Sequence, residues 1–301
     1  MARRGGCLLA VLLFLCTAAL GEGFHPLEMD LSGGAPLLKK YALSQEVYED
    51  PTIRVEVHRA ESPITEYHVI YYYALIRIQD PSQLRTAPAD GSSFTSGARV
   101  PAAAMARRMN AVLAINGDYC APFTGKQKDK YVLRQGTVYR ESADPALDVL
   151  LIDEKGDFHV IQGCEEIESL DKTTVDGRKV INALQFGPAL VIDGEKVADE
   201  ILLDRAHSPH ASEPDSGWPQ RMCIAQIDEL TYMALCCRNG LTLVQLRDLA
   251  MSLADCRVVY NLDGGESTQM IFMNAKYNHA GGTNNPRPIT DILYFASAWF
   301  E

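Results

Sequence analysis

The sequence predicts an α+β domain in which a mixed or antiparallel sheet dominates and a few helices cover it. Three observations carry that expectation. Strand-length runs of β-branched and aromatic residues recur along the chain. Only two segments show strong helical signals. No repeated strand–helix–strand alternation is present, which argues against a parallel α/β fold.

Residues 22–50 are mixed in character, with "LSGGAP" as a loop, and are expected to form an extended arm. "TIRVEVHRA" and "EYHVIYYYALIRIQD" follow, joined by "ESPIT", and read as a strand pair. This arm and pair form a first section, 22–97, ahead of a larger one, 98–301. "RVPAAAMARRMN" predicts a helix, with Pro101 suited to its first turn. "AVLAING" is a short buried strand ending in Asn-Gly. "KYVLRQGTVYRE" and "DVLLIDEKGDFHVIQ" predict hairpins turning at "QG" and "EKGD". "EEIESLDKTTVDGRKVI" is polar and gives no clear period. "NALQFGPALVIDGEKV" reads as a strand pair around "DGE", and "RMCIAQIDELTYMALCC" as another hairpin. Between these two lies a long polar loop, "LLDRAHSPHASEPDSGWPQ". "LTLVQLRDLAMSLADC" has the strongest helical pattern. Thr242 is placed to cap it, and Leu243, Leu246, Leu249, Ala250 and Leu253 recur at helical spacing. "ITDILYFASAWF" closes the chain as a strand.

The 301 residues are 47 % hydrophobic and 22 % charged, a globular balance with enough apolar material for a sizeable core. The formal charge is −11, from 28 basic and 39 acidic residues. A nucleic-acid-binding surface needs clustered cations, so that partner class is excluded. A small anionic substrate is not excluded, because one or two well-placed arginines suffice. At the N-terminus, "MARR" and "CLLAVLLFLCTAAL" read as the basic and apolar parts of a signal peptide, residues 1–21, with Ala19 and Gly21 as the small residues before the cut. The protein is therefore expected to be secreted or held at the cell surface, with no stable membrane span after cleavage. Six cysteines lie beyond the signal: Cys120, Cys164, Cys223, Cys236, Cys237 and Cys256. Their spacing matches no zinc pattern. Adjacent Cys236 and Cys237 should point to opposite faces of a strand, so several buried free thiols are expected.

Four stretches place polar or charged groups at the ends of apolar strands: "AINGDYC", "WPQRMCIAQ", "NLDGGESTQM" and "NPRPITDILYF". Strand ends suit site building, since loops there are exposed while the strands hold them rigid. In the third stretch, Gly264 and Gly265 permit a turn whose N–H groups can face an anion. Ser267 and Thr268 add hydroxyls, and Asp263 and Glu266 add carboxylates. Asn116 and Asp118 repeat the design after another buried run. Arg221 and Arg287 stand at strand mouths, where a guanidinium can bind phosphate through paired hydrogen bonds. His207, His210, Glu213 and Asp215 in the long loop form a weak metal pattern. Exposed loop histidines are the simpler reading, and no Ser-His-Asp order, P-loop or HExxH is visible.

In this order, the stretches resemble the phosphodiester glycosidase family, above all exported bacterial members that carry "NGDY". The resemblance runs from Ala98 to Phe295 and also takes in "YVLRQGTVYRE", "FGPALVIDGEKV" and the "GLTLVQLRDLAMSL" helix. It implies an α+β fold and hydrolysis of a sugar-1-phosphodiester at its glycosidic bond. Matching positions are Asn116, Gly117, Asp118, Arg221, Asp263, Gly264, Gly265, Ser267, Thr268, Arg287 and Asp291. Glu266 stands where many members have a third glycine, Ala225 replaces another usual glycine, and "LCCRNG" stands where many have an Asp-Gly-Arg turn. On this reading Asp263, Asp118 and Glu266 are the candidate catalytic carboxylates. Asn116, Arg221, Gly264, Gly265, Ser267, Thr268, Arg287 and Asp291 would bind the substrate, a phosphorylated glycan or cell-wall phosphodiester. No cofactor is required by the sequence, and a divalent metal on the same carboxylates stays open. Two alternatives remain at this point: a non-catalytic binder of phosphorylated cell-surface polysaccharide, and a metal-dependent hydrolase.

Overall fold

A computed structural model describes residues 22–62, 69–119, 130–204, 220–238, 240–278 and 286–301. The expected signal peptide, Cys120 and the loop residues His207, His210, Glu213 and Asp215 lie outside the described residues.

The strand-dominated α+β class holds, but the strands form three sheets rather than one, and every strand pairing among the described residues is antiparallel. The largest has eight strands. Its centre is Val69–Ile78, Thr231–Cys237, Arg221–Asp228 and Val258–Leu262, in that spatial order. The six-stranded sheet is centred on Arg178–Gln185, flanked by Val132–Arg134 and Val149–Asp153. The five-stranded sheet sets Ala111–Asn116 between Met270–Phe272 and Asp291–Ala296. The predicted pair Ile53–Ser62 and Val69–Ile78 is joined to Thr231–Cys237, so residues before position 98 share a sheet with residues far beyond it.

Side chains alternate between two apolar layers in each sheet, as a period of two demands. Met222 and Ile224 face a central core, while Cys223 and Ala225 face a second cluster under the Leu243–Leu253 helix. Leu293 and Phe295 enter the same central core, while Ile292, Tyr294 and Ala296 meet the Ala102–Arg108 helix. Leu150 and Ile152 do likewise, with Val149 and Leu151 on the far side. All three sheets therefore share one core, and each is covered on its outer face. Burial on both faces is why these strands read as continuous apolar runs in the sequence. Thr242 caps the longer helix through Gln245, as its position predicts. Cys236 and Cys237 enter different clusters, and the described cysteines are free thiols.

Some segments depart from expectation. The arm contains a strand, Val47–Asp50, which pairs with the Ile53 strand. The polar segment around residue 175 folds as a small hairpin, Thr174–Val175 against Arg178 and Lys179, and leads into the central strand of the six-stranded sheet. "NALQFGPALVIDGEKV" is divided: Asn182–Gln185 belongs to that sheet, and the hairpin around Asp193–Gly194 belongs to the largest one. A short helix, Asp199–Asp204, opens what reads as loop.

The arm is tied down by Arg85, which is 1 % exposed. Its guanidinium donates to the carbonyls of Asp30 (3.0 Å) and Ser32 (3.2 Å) and to the Tyr294 hydroxyl (3.1 Å). Arg85→Leu removes those three bonds, the one to the buried Tyr294 hydroxyl among them, and should cost about 1–3 kcal/mol. Chemical denaturation measures the loss, and limited proteolysis should begin in residues 22–35.

Candidate active site

The ends of all three sheets meet at one place. The five-stranded sheet contributes Asn116, the last residue of its central strand, and Asp291, the first of its neighbour; Ile292 pairs with Asn116. Gly117 continues from Asn116 with its N–H donating to the Asp291 carbonyl at 3.2 Å. A Cβ at Gly117 would collide with the Asp291 carboxylate, so glycine is required by the close approach.

Asp118 follows and is fully buried. Its Oδ1 accepts from Arg134 Nη2 at 2.7 Å, and its Oδ2 accepts from the Gln185 N–H at 2.7 Å. Both donors belong to the six-stranded sheet. The same Arg134 nitrogen lies 3.5 Å from Asp291 Oδ2, and Thr290 Oγ1 donates to Asp291 Oδ1 at 3.0 Å. Burial, and then the Asp118 charge, push the Asp291 carboxyl above the usual carboxylate range.

The largest sheet contributes Asp263, one residue beyond its central Val258–Leu262 strand. Asn116 Nδ2 donates to the Asp263 carbonyl at 2.7 Å, and Asn116 Oδ1 accepts from the Gln269 N–H at 3.1 Å. One amide thus fixes both sides of the "DGGEST" turn. Gly265 has φ of +61° and starts a short 3-10 turn, Gly265–Ser267. Its N–H, expected among the phosphate donors, instead donates to the Gln220 carbonyl at 2.8 Å. Met222 pairs with Leu262, so Arg221 and Asp263 leave adjacent strands at the same end. Arg221 is largely buried, and its Nε donates to the Leu241 carbonyl at 2.9 Å.

Asp263 is accessible where Asp118 and Asp291 are not: its side chain is 16 % exposed. Arg287 Nη2 lies 3.3 Å from Asp263 Oδ2 and also bonds Ser267 Oγ. Burial raises the Asp263 carboxyl above its ordinary range, while the Ser267 hydroxyl, Arg287 and Lys130 pull the other way. The Thr268 hydroxyl is buried and has no protein partner among the described residues. Glu266 is exposed on the same turn.

Asn116, Gly117, Asp118, Asp263, Ser267, Arg287 and Asp291 are therefore brought together at one strand-end cluster, at two depths, while Arg221 leaves the adjacent strand with its side chain bonded to Leu241. Asp263, Glu266 and Arg287 reach solvent, while Asp118 and Asp291 form a buried layer beneath. Sequence reasoning missed Arg134, Lys130 and Gln185. Lys130 is also buried, bonded to the Asp118 carbonyl and set over the rings of Tyr119 and Phe186. The available signal was two cations bracketing the apolar "YVL" run, where a buried strand should carry none. Among the described residues no group of three or more His, Cys, Asp or Glu is arranged to hold a metal ion.

The sequence profile described as phosphodiester glycosidase matches residues 109–296, more than half of the chain. No curated protein matches in sequence. Among solved structures, the fold is similar to the catalytic domain of zebrafish N-acetylglucosamine-1-phosphodiester alpha-N-acetylglucosaminidase, auto-inhibited by its pro-peptide. The TM-score is 0.65 at 15 % identity, over 88 % of this chain and 87 % of that one. A hypothetical protein from Synechocystis is similar with a TM-score of 0.53 at 13 % identity, over 85 % and 65 % of the respective chains. At these identities the likeness is one of fold.

The two depths predict opposite responses to one substitution. Asp118→Asn leaves Arg134 buried with half its countercharge and sets an amide donor among donors; it should cost about 3–5 kcal/mol in denaturant titration. Asp263 differs in sign. Its folded-state pKa is raised, so the folded protein holds that proton more tightly than the unfolded chain does. The group therefore favours folding least once pH has risen through the folded pKa. Asp263→Asn removes this dependence: its stability relative to wild type should rise from about pH 4 toward neutrality. A relative stability that falls over that range would contradict the assignment.

Proposed function

The chain belongs to the phosphodiester glycosidase family, and we propose that it is an exported hydrolase that cleaves the glycosidic bond of a sugar-1-phosphodiester. The observation that carries this reading is the contact between Asp263, Arg287 and Ser267 at the mouth of the site. A cation and a hydroxyl able to hold a phosphate stand against the most accessible buried-strand carboxylate.

The residues divide the chemistry as follows. Arg287, Arg221 and the hydroxyls of Ser267 and Thr268 take the phosphate. The bond from the anomeric carbon to the phosphate oxygen breaks with its electron pair leaving on that oxygen, and an oxocarbenium-like carbon develops. The leaving phosphate gains charge as this happens, so fixed cations stabilise the transition state more than the ground state. Water then adds to the anomeric carbon and gives its proton to the Asp263 carboxylate. Asp263 is suited to that task because its raised pKa brings its basicity closer to neutral pH. Glu266 is the second carboxylate within reach of the same mouth. Asp118 and Asp291 act from beneath: they position the Asn116–Gly117 turn and, through it, Asp263. Export rests on the basic and apolar character of residues 1–21. Among the described residues no helix is long and apolar enough to cross a membrane.

Turnover of a model sugar-1-phosphodiester, with and without a chelator, tests the reading and separates the metal-dependent alternative. Binding without turnover would favour the polysaccharide-binding alternative. Asp263→Asn should lower turnover by roughly a hundredfold or more while the protein stays folded. Arg221→Ala should cost roughly 2–4 kcal/mol in kcat/KM. Near-normal turnover in a folded Asp263→Asn protein would reduce Asp263 to a brace for the turn.

A further inference from the structure

Tyr119 closes the "NGDY" stretch in a left-handed backbone conformation, φ +59°, which bulky residues seldom adopt. Strain of this kind persists where the surroundings hold it, and it aims the side chain. Three cations surround the ring so aimed. Arg99 Cζ lies 5.2 Å from its centroid, Lys130 Nζ 5.7 Å and Arg287 Cζ 5.9 Å. Lys130 is buried, but Arg99 and Arg287 are exposed, and Arg99 also donates to the Tyr119 hydroxyl. In a protein of net charge −11, this concentration is against the trend. The face of an aromatic ring attracts each cation singly. Arg287 already faces Asp263, whereas among the described residues Arg99 has no carboxylate within ion-pair distance, and a bound anion would supply its countercharge.

The contacts also give a direction. Asp263 touches Arg287, Arg287 lies on Tyr119, and Tyr119 touches Arg99. With the anomeric carbon at Asp263 and the phosphate at Arg287, the next part of the substrate is the alcohol portion of the diester. We infer that Arg99, together with the Tyr119 ring and Arg287, forms a second anion subsite that selects sugar-1-phosphodiesters whose alcohol portion carries a further phosphate or carboxylate. This inference rests on the glycosidase reading for its direction, and it adds a substrate class: polyanionic phosphodiester glycans rather than neutral-ended ones.

The test compares the butyl, 3-carboxypropyl and 4-phosphobutyl esters of one sugar-1-phosphate. Wild type should favour a charged ester over the butyl ester by at least about tenfold in kcat/KM at low ionic strength, through KM, with the ratio shrinking as salt screens the exposed guanidinium. Arg99→Ala should bring the ratio to within about twofold, and Arg99→Glu should invert it. Preference for the phosphobutyl ester alone assigns the subsite to phosphate, and preference for both assigns it to anions in general. Equal cleavage of all three by wild type overturns the inference and leaves the glycosidase reading standing, as does a preference that survives Arg99→Ala. Cleavage of none defeats the glycosidase reading, and calorimetry then decides the subsite separately. Tighter binding of the charged esters, lost in Arg99→Glu, upholds it; equal affinities overturn it.

Discussion

One buried guanidinium holds the ends of two of the three sheets, the five-stranded and the six-stranded, against each other. Arg134 lies fully inside the protein, yet it bonds Asp118, approaches Asp291 and donates to the carbonyls of Leu133 and Ala183. Taking such a charge from water costs several kcal/mol, and only close, well-oriented partners offset it. The partners come from different sheets, so the cluster is satisfied only when those sheets are docked in one arrangement. Arg134 and the buried Lys130 both favour the ionised form of Asp291, but not enough to offset its burial. Asp291 holds its proton more tightly than usual, because its burial, and then the charge of Asp118, disfavour ionisation. The cluster contributes position more than stability. An apolar replacement could fill the same space but could not fix the Asn116–Gly117 turn against Asp291.

Much of this was legible in the sequence, for identifiable reasons. Strand runs such as "AVLAIN" and "RMCIAQI" are set by local composition, and Thr242 with Gln245 encodes a helix start within four residues. The four polar strand ends were visible because glycine, asparagine and charge are out of place after apolar runs. What was not legible depends on distant partners. Whether strands form one sheet or three is decided by pairings such as Ala183 with Leu133, which no local pattern specifies. The segment entering the Arg178–Gln185 strand looked irregular because its polar half pairs at the surface while its apolar half is central. Asp118 and Asp263 carry the same side chain after similar strands, and only the chain folded over each tells them apart.

Charge follows the same division by depth. The chain is acidic overall, yet Arg99 and Arg287 stand exposed around Tyr119 beside Asp263, and Arg221 is buried at the end of the adjacent strand. The anionic substrate proposed here would meet repulsion at long range from a negative protein, which salt weakens, and attraction within the mouth. Affinity for it would depend on desolvated guanidinium contacts rather than on net charge. Arg221 illustrates the cost of burying a cation: burial lowers its pKa from the ordinary arginine value, and the phosphate proposed for it would offset that penalty.

The connector between the two depths is a neutral amide, and its neutrality follows from what it joins. The buried cluster must stay dry, because water would weaken the Arg134 contacts that set the geometry. The carboxylate of Asp263 must stay partly wet, because its proposed task is to take a proton from water. A charged residue linking them would add its own field to Asp263 and shift the pKa that fits it for the task. An apolar residue could not bind the turn at all. Asn116 needs to donate to the Asp263 carbonyl and accept from the Gln269 N–H with one side chain. Aspartate lacks the donor, leucine lacks both, and glutamine is a methylene too long for a residue whose own backbone is already locked to Gln269 at 3.2 Å. The asparagine that opens "NGDY" is thus more than a turn former: it carries position from an ion cluster to a carboxylate without carrying charge.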